Sequence, residues 1–256
     1  MQIGANVADM TERSTIADAL RAMHVPGRPL VLPNAWDAAT ARLVVEGGFP
    51  VVATSSAAVA ESLGYADSED APADEMFAAV ARISRAVDVP VTVDAESGYG
   101  LAADELVARL RDAGAVGCNL EDTDHAGGGL VPAAKQADRL AAVRAADPDL
   151  VLNARIDVFI GAQDEQAVLA DAIDRALAYF AAGVDCVYPI LARSPDVLRS
   201  FVDAVPGPVN AALTPGLTVP ALADAGIARV SLGPGLWRRV QATLREALTD
   251  LRSTSD

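Results

Sequence analysis

Two carboxylates one residue apart, Asp94 and Glu96, close the apolar run in PVTVDAESGYG, and a third, Glu121, closes the run in AVGCNLED. Acids are poor strand formers and costly to bury without a partner. At the ends of β-branched runs they either line a solvated rim or face something cationic. An i, i+2 spacing puts Asp94 and Glu96 on one face of a strand, and Asn119 and Glu121 likewise. Three converging carboxylates suit an all-oxygen site for a hard divalent cation. Mg²⁺, with Mn²⁺ as a substitute, takes one or two carboxylates, keeps several waters and leaves positions for substrate oxygens. Arg155, in LVLNARID, has the planar fork to grip a small-molecule carboxylate in two places. Thr54, Ser55 and Ser56 end another run and could hold a second carboxylate or a phosphonate, and Asn210 opens the run PVNAAL. His125 lies in EDTDHAGGGLVPAAK, where a glycine tract gives a loop able to close over a site and an imidazole able to act as acid or base. Each residue also has a plainer role: strand-end acids can cap helices, and Arg155 can simply neutralise its neighbours. Asp122, facing away from Glu121, reads as structural.

The elements that would place these residues can be counted. Strand-like runs fall at 30–35, 51–56, 89–96, 115–122, 150–157, 185–190, 208–213 and 228–233. Amphipathic helices are expected between and after them, at about 37–47, 73–87, 102–113, 133–146, 164–182, 195–204, 218–225 and 236–252, with an extra one at about 12–23. Eight β–α units in about 250 residues is the count and size of a (β/α)8 TIM barrel, so residues 1–256 read as one α/β domain. A doubly wound sheet is the rival. It would more often show a glycine-rich phosphate loop after the first strand, and LPNAWDAAT is not one. In a barrel the strand ends named above share one rim, where active sites form.

Composition narrows the chemistry. With 35 Asp+Glu against 20 Lys+Arg the net charge is −15, a field that opposes nucleic acid and anionic membranes. An anionic substrate would then need a locally positive site, which a bound metal supplies. No apolar run is long enough to span a bilayer, and the N-terminal residues show no cationic-then-apolar signal. Two cysteines, Cys118 and Cys186, fit free buried thiols in a reducing cytoplasm. The single lysine, Lys135, falls in a predicted helix rather than at a strand end, which disfavours Schiff-base chemistry. No G-x-S-x-G occurs, and His24 reads as structural.

Taken in order, LPNAWD, TSSAAVAESLGYAD, VTVDAESGYG, GAVGCNLED, LNARID, the Pro-Val-Asn strand and ARVSLGPGL resemble the isocitrate lyase/phosphoenolpyruvate mutase superfamily over about residues 25–245. The resemblance implies a Mg²⁺-dependent barrel acting on small 2-oxo or hydroxy acids, cleaving or forming C–C or P–C bonds through a metal-stabilised enolate. It also implies a homo-oligomer, dimer or tetramer, with a swapped C-terminal helix. By resemblance Asp94 is the direct metal ligand. Glu96 and Glu121 reach the metal through water, Asp67 is a further acid of its surroundings, Arg155 binds the substrate carboxylate, and Thr54 to Ser56 bind its oxo-acid end. The chain departs from the pattern after the fourth strand. It lacks both the Cys-bearing loop of the lyases and the Lys and Asn-Ser loop of the mutases, and Tyr188-Pro189-Ile190 stands where those enzymes carry Glu or His. The expected activity is therefore C–C cleavage of a small 2-oxo or hydroxy (di)carboxylic acid. P–C chemistry and a catalytically silent 2-oxo-acid binder are the alternatives.

Overall fold

The computed structural model describes residues 7–253. An N-terminal helix α1 (Val7–Ala22) precedes β1 (Leu30–Leu32) and β2 (Asn34–Ala35), two halves of one barrel strand. Then follow α2 (Ala38–Glu46), β3 (Val52–Thr54), α3 (Ser56–Leu63), α4 (Ala73–Ser84), β4 (Val91–Asp94), α5 (Ala103–Asp112), β5 (Gly117–Glu121) and α6 (Ala133–Ala146). The second half runs β6 (Val151–Ile156), α7 (Glu165–Ala181), β7 (Cys186–Pro189), α8 (Pro195–Ala204), β8 (Asn210–Ala212), α9 (Val219–Asp224), β9 (Arg229–Ser231) and α10 (Gly235–Ser253). All pairings between the named strands are parallel, as the alternation of strand and helix requires.

The ladders form two sheets, β2-β3-β4-β5-β6-β7 and β1-β9-β8. A single bridge between Val187 and Val209 joins β7 to the β8 side. On the other side the break is at Pro33, which has no N–H to donate. There the Asn34 side chain substitutes for backbone pairing, donating to Thr54 O at 2.6 Å and accepting from Leu232 N at 3.0 Å. Eight strands thus close the expected (β/α)8 barrel.

One apolar cluster packs the outer sheet face against the helices, through residues such as Val93, Leu106, Leu120 and Phe201. A smaller one plugs the lumen floor, where Ala17 and Leu20 of α1 meet Leu30, Leu32, Val51 and Val151. Burying a leucine such as Leu20 contributes about 2 kcal/mol, so α1 is a lid on the barrel bottom and leaves the strand C-termini as the open end. Two expectations need correction. The run 51–56 is not all strand: β3 stops at Thr54, Ser55 becomes the N-cap of α3 by accepting from Ala58 N, and Ser56 is already helical. Helix α3 itself was not expected. At the other end, α10 leaves the barrel after Trp237, which packs edge-on against Trp36 with ring centroids 5.1 Å apart. None of its residues is buried, and Val240, Leu244 and Leu248 are about half exposed. No described helix is long and apolar enough to cross a membrane.

Candidate active site

Asp94 ends β4, and its carboxylate is held from one side. Ser56 gives Oδ2 both its amide, at 3.2 Å, and its hydroxyl, at 2.8 Å. Thr54 Oγ1 accepts the Asp94 N–H at 3.0 Å and fixes the strand end. Oδ1 is buried and has no hydrogen-bond partner among the described residues. The nearest guanidinium nitrogen in its ion pair with Arg155, Nη1, is 4.0 Å away. An unmet buried acceptor costs about 1–3 kcal/mol, a cost that a cation placed against it removes.

Three more acids, Glu96, Glu121 and Asp67, line the neighbouring cleft. Glu96 lies past the strand end with a left-handed φ of 49°, so a turn rather than strand alternation aims it. Its Oε2 accepts from Glu69 N at 2.6 Å and its Oε1 from the Tyr99 hydroxyl at 3.1 Å. Burial, then the charge of Asp94, raises its pKa to about 7. Glu121, ending β5, is 2% exposed. It pairs through Oε1 with His125 Nε2 at 2.6 Å and through Oε2 with Arg155 Nη1 at 2.5 Å. Burial pushes Glu121 up, against the pull of His125 and Arg155, and the bond to Glu121 raises His125 in turn. The pair is built to hold a proton. Asp67, in the loop after α3, accepts from Ser56 Oγ at 3.4 Å. Together Ser56, Asp67, Glu96, Glu121, His125 and Arg155 line a cleft of about 290 Å³.

The donor set is all oxygen with one imidazole at its edge. No three His, Cys, Asp or Glu side chains among the described residues form a ready-made cage. The three carboxylates expected to converge on one ion therefore do not form such a cluster among the described residues; oxygen donors by their chemistry still suit a hard ion such as Mg²⁺ better than a tetrahedral zinc site.

Residues 20–252 match the family model described as phosphoenolpyruvate phosphomutase. The chain belongs to that family. It is 32% identical over 211 residues to the 2-methylisocitrate lyase of Escherichia coli strain K12, covering 77% of this chain and 69% of that one. A crystal structure from Burkholderia cenocepacia J2315 is 39% identical, with a TM-score of 0.88 over 91% of this chain and 99% of the other. A phosphonopyruvate hydrolase solved with oxalate and Mg²⁺ is 26% identical, with a TM-score of 0.83 over 94% and 88%. The phosphoenolpyruvate phosphomutase family thus joins C–C and P–C chemistry on one barrel, and the isocitrate lyase/phosphoenolpyruvate mutase superfamily contains this chain.

Within this member of the family, several expected substrate contacts are otherwise engaged. Burial would lower the Arg155 pKa, but Asp157, Glu121 and Asp94 hold it charged. Its fork is spent on Asp157, Nε to Oδ1 and Nη2 to Oδ2, both at 2.7 Å. A two-point grip on substrate is therefore closed in this state, and only the Nη1 edge faces the acids. Thr54 and Ser56 serve Asp94, and Ser55 caps α3. Asn210 is fully buried and exchanges hydrogen bonds with Ser231; it does not line the cleft. The glycine tract after His125 is a folded turn, tied by Asp124 Oδ1 to the amides of Ala126 and Gly127.

Sequence reasoning missed three participants. Glu69 and Tyr99 hold Glu96, and Tyr188, in register with Arg155, points a phenol toward the same charges. Burial pushes the Tyr188 pKa up. The sequence signals for Tyr188 were its strand-end position and its standing where the resembled enzymes carry Glu or His, and no role was read from them.

Proposed function

We propose that this chain is a Mg²⁺-dependent lyase that cleaves a C–C bond in a small 2-oxo or hydroxy (di)carboxylic acid. The observation that carries the reading is Asp94 Oδ1, a buried carboxylate oxygen with no hydrogen-bond donor, linked through Ser56 and Arg155 to a cleft that Asp67, Glu96 and Glu121 line. Asp94 would hold the metal directly, with the other three acids reaching it through water; Mn²⁺ fits the same donors. When bound, the metal supplies a positive centre for charge that develops on a substrate oxygen as the bond breaks. Ser56 holds Asp94 by Oδ2 and Thr54 holds its backbone N–H, which leaves Oδ1 without a hydrogen bond. Arg155 balances Glu121 through Nη1, and a substrate carboxylate would compete with Glu121 for that nitrogen. His125 Nε2, sharing a proton with Glu121, delivers or removes the proton that cleavage requires.

The likeness to phosphonopyruvate hydrolase supports P–C cleavage as the second reading. A transferring phosphoryl group calls for more cationic surface than Arg155 and His125 provide, which favours the carbon reading. The exposed apolar face of α10 supports a homo-oligomer, and two free buried thiols support a cytoplasmic setting. The test is product formation by NMR from oxaloacetate, isocitrate, 2-methylisocitrate, 2-methylmalate-like acids and phosphonopyruvate, with Mg²⁺ and with EDTA. An EDTA-sensitive product from a carbon acid is expected, and Asp94→Ala should lower kcat/KM by about 100-fold or more, roughly 3 kcal/mol. Turnover of phosphonopyruvate alone would replace the carbon reading by the phosphorus one. Mg²⁺-dependent binding of the acids without turnover would mark a silent binder.

A further inference from the structure

Two turns that wall the cleft are tied to each other through their carboxylates. One follows α3 at 67–70, the other follows β4 at 95–99. Four of the five non-glycine residues with left-handed φ among those described lie in them: Ser68 at 74°, Glu69 at 61°, Glu96 at 49° and Tyr99 at 56°. Side-chain-bearing residues stay in that region only where their surroundings over-determine it. Here the determinant is Glu69. Its Oε1 accepts three hydrogen bonds from the second turn: Ser97 N at 3.1 Å, Ser97 Oγ at 2.6 Å and Tyr99 N at 2.7 Å. The bond is returned when Glu69 N donates to Glu96 Oε2 at 2.6 Å. On the other side Arg139 donates to Ser97 O at 3.0 Å and Leu101 O at 3.2 Å. Its guanidinium lies so close to Gly98 that a Cβ there would run into it.

We propose that Glu69 is a positioning residue: its carboxylate locks the 96–99 turn and thereby aims Glu96 into the cleft. Three donors commit Oε1 of Glu69 to the geometry of the 97–99 turn. Without it, Ser97 N and Tyr99 N lose their acceptor, the left-handed turn loses what holds it, and Glu96 swings with the turn. The catalytic consequence rests on the metal reading above; the clasp itself does not.

Amide hydrogen exchange and Mn²⁺ binding, read by electron paramagnetic resonance, separate the two. Glu69→Gln keeps an accepting Oε1 while it removes the charge and replaces Oε2 by an NH2 group, whereas Glu69→Ala removes both acceptor and charge. With β6 amides as the internal control for folding, Glu69→Ala should speed exchange at Ser97 and Tyr99 by about tenfold or more. It should also weaken Mn²⁺ binding by about 10-fold, in the range seen when partners of metal-site groups are removed. Glu69→Gln should stay near wild type in both. Unchanged exchange at Ser97 and Tyr99 in Glu69→Ala would overturn the clasp. A Glu69→Gln variant as weak toward Mn²⁺ as Glu69→Ala would show that Glu69 acts by charge, which overturns positioning. Should wild type take up no Mn²⁺, the metal reading fails and the exchange result alone decides the clasp.

Discussion

Asp122 and Asp94 are both acids at or just beyond a strand end, yet they meet opposite surroundings. Asp122 Oδ1 accepts from Asp157 N at 2.9 Å, and Oδ2 from Arg175 Nη1 at 2.9 Å and the Tyr179 hydroxyl at 2.7 Å. Every lone pair that matters is met, and through Asp157 the network reaches the Arg155 fork. Asp94 is met on one oxygen only and faces the charge of Glu96. The first acid therefore works for the fold and the second works against it. Asp122→Ala leaves Arg175 without its buried partner and should cost about 3–5 kcal/mol in urea unfolding. Asp94→Asn, measured in EDTA, should raise the melting temperature by removing the charge that repels Glu96, the trade between stability and activity common at active sites.

Among the elements, α1 carries its own titration. His24 follows its C-terminal turn, with Nδ1 2.9 Å from Leu20 O, and burial, then the charge of Arg229, lowers its pKa to about 4. The unfolded value is about 6.5, so between the two the unfolded chain binds the extra proton. Stability from this group is complete above pH 6.5 and is lost as pH falls toward 4, at about 1.4 kcal/mol per unit and about 3 kcal/mol in all. His24→Gln should flatten that slope relative to wild type in urea titrations between pH 7 and 4. Elements were legible where period and punctuation agreed: all eight barrel strands fall within the runs of apolar β-branched residues. Helix α3 was hidden because VVATSSAAVA is apolar without a period, and only Ser55, turning as an N-cap, divides it. Asp94, Glu121 and Arg155 stand near one another as expected of residues at the ends of neighbouring barrel strands, and their proposed roles rest on that placement. Glu69 could not be foreseen, since its partners are backbone amides 28 and 30 residues away that only left-handed turns bring to it.

At the scale of the whole molecule, a net charge of −15 surrounds a cleft that is itself acidic. On the proposed function, a dicarboxylate would gain from positive charge added there, so metal and substrate should bind with mutual reinforcement. The other whole-molecule feature is α10, which offers Val240, Leu244 and Leu248 on one open face. Leu244→Glu with Leu248→Glu should lower the mass seen by light scattering after size exclusion from an oligomer to about 26 kDa, the monomer mass. A wild-type chain already monomeric at micromolar concentration would remove that expectation. The division of the barrel ladder at Pro33 has a mechanical consequence. β1, β8 and β9 come from near the two ends of the chain and pair with one another, whereas β2 to β7 form one unbroken stretch of sequence that carries Asp94, Glu96, Glu121, His125 and Arg155. A pull applied at the termini would load the small sheet first, and could unzip it while the acids, on the larger sheet, still keep one another's company.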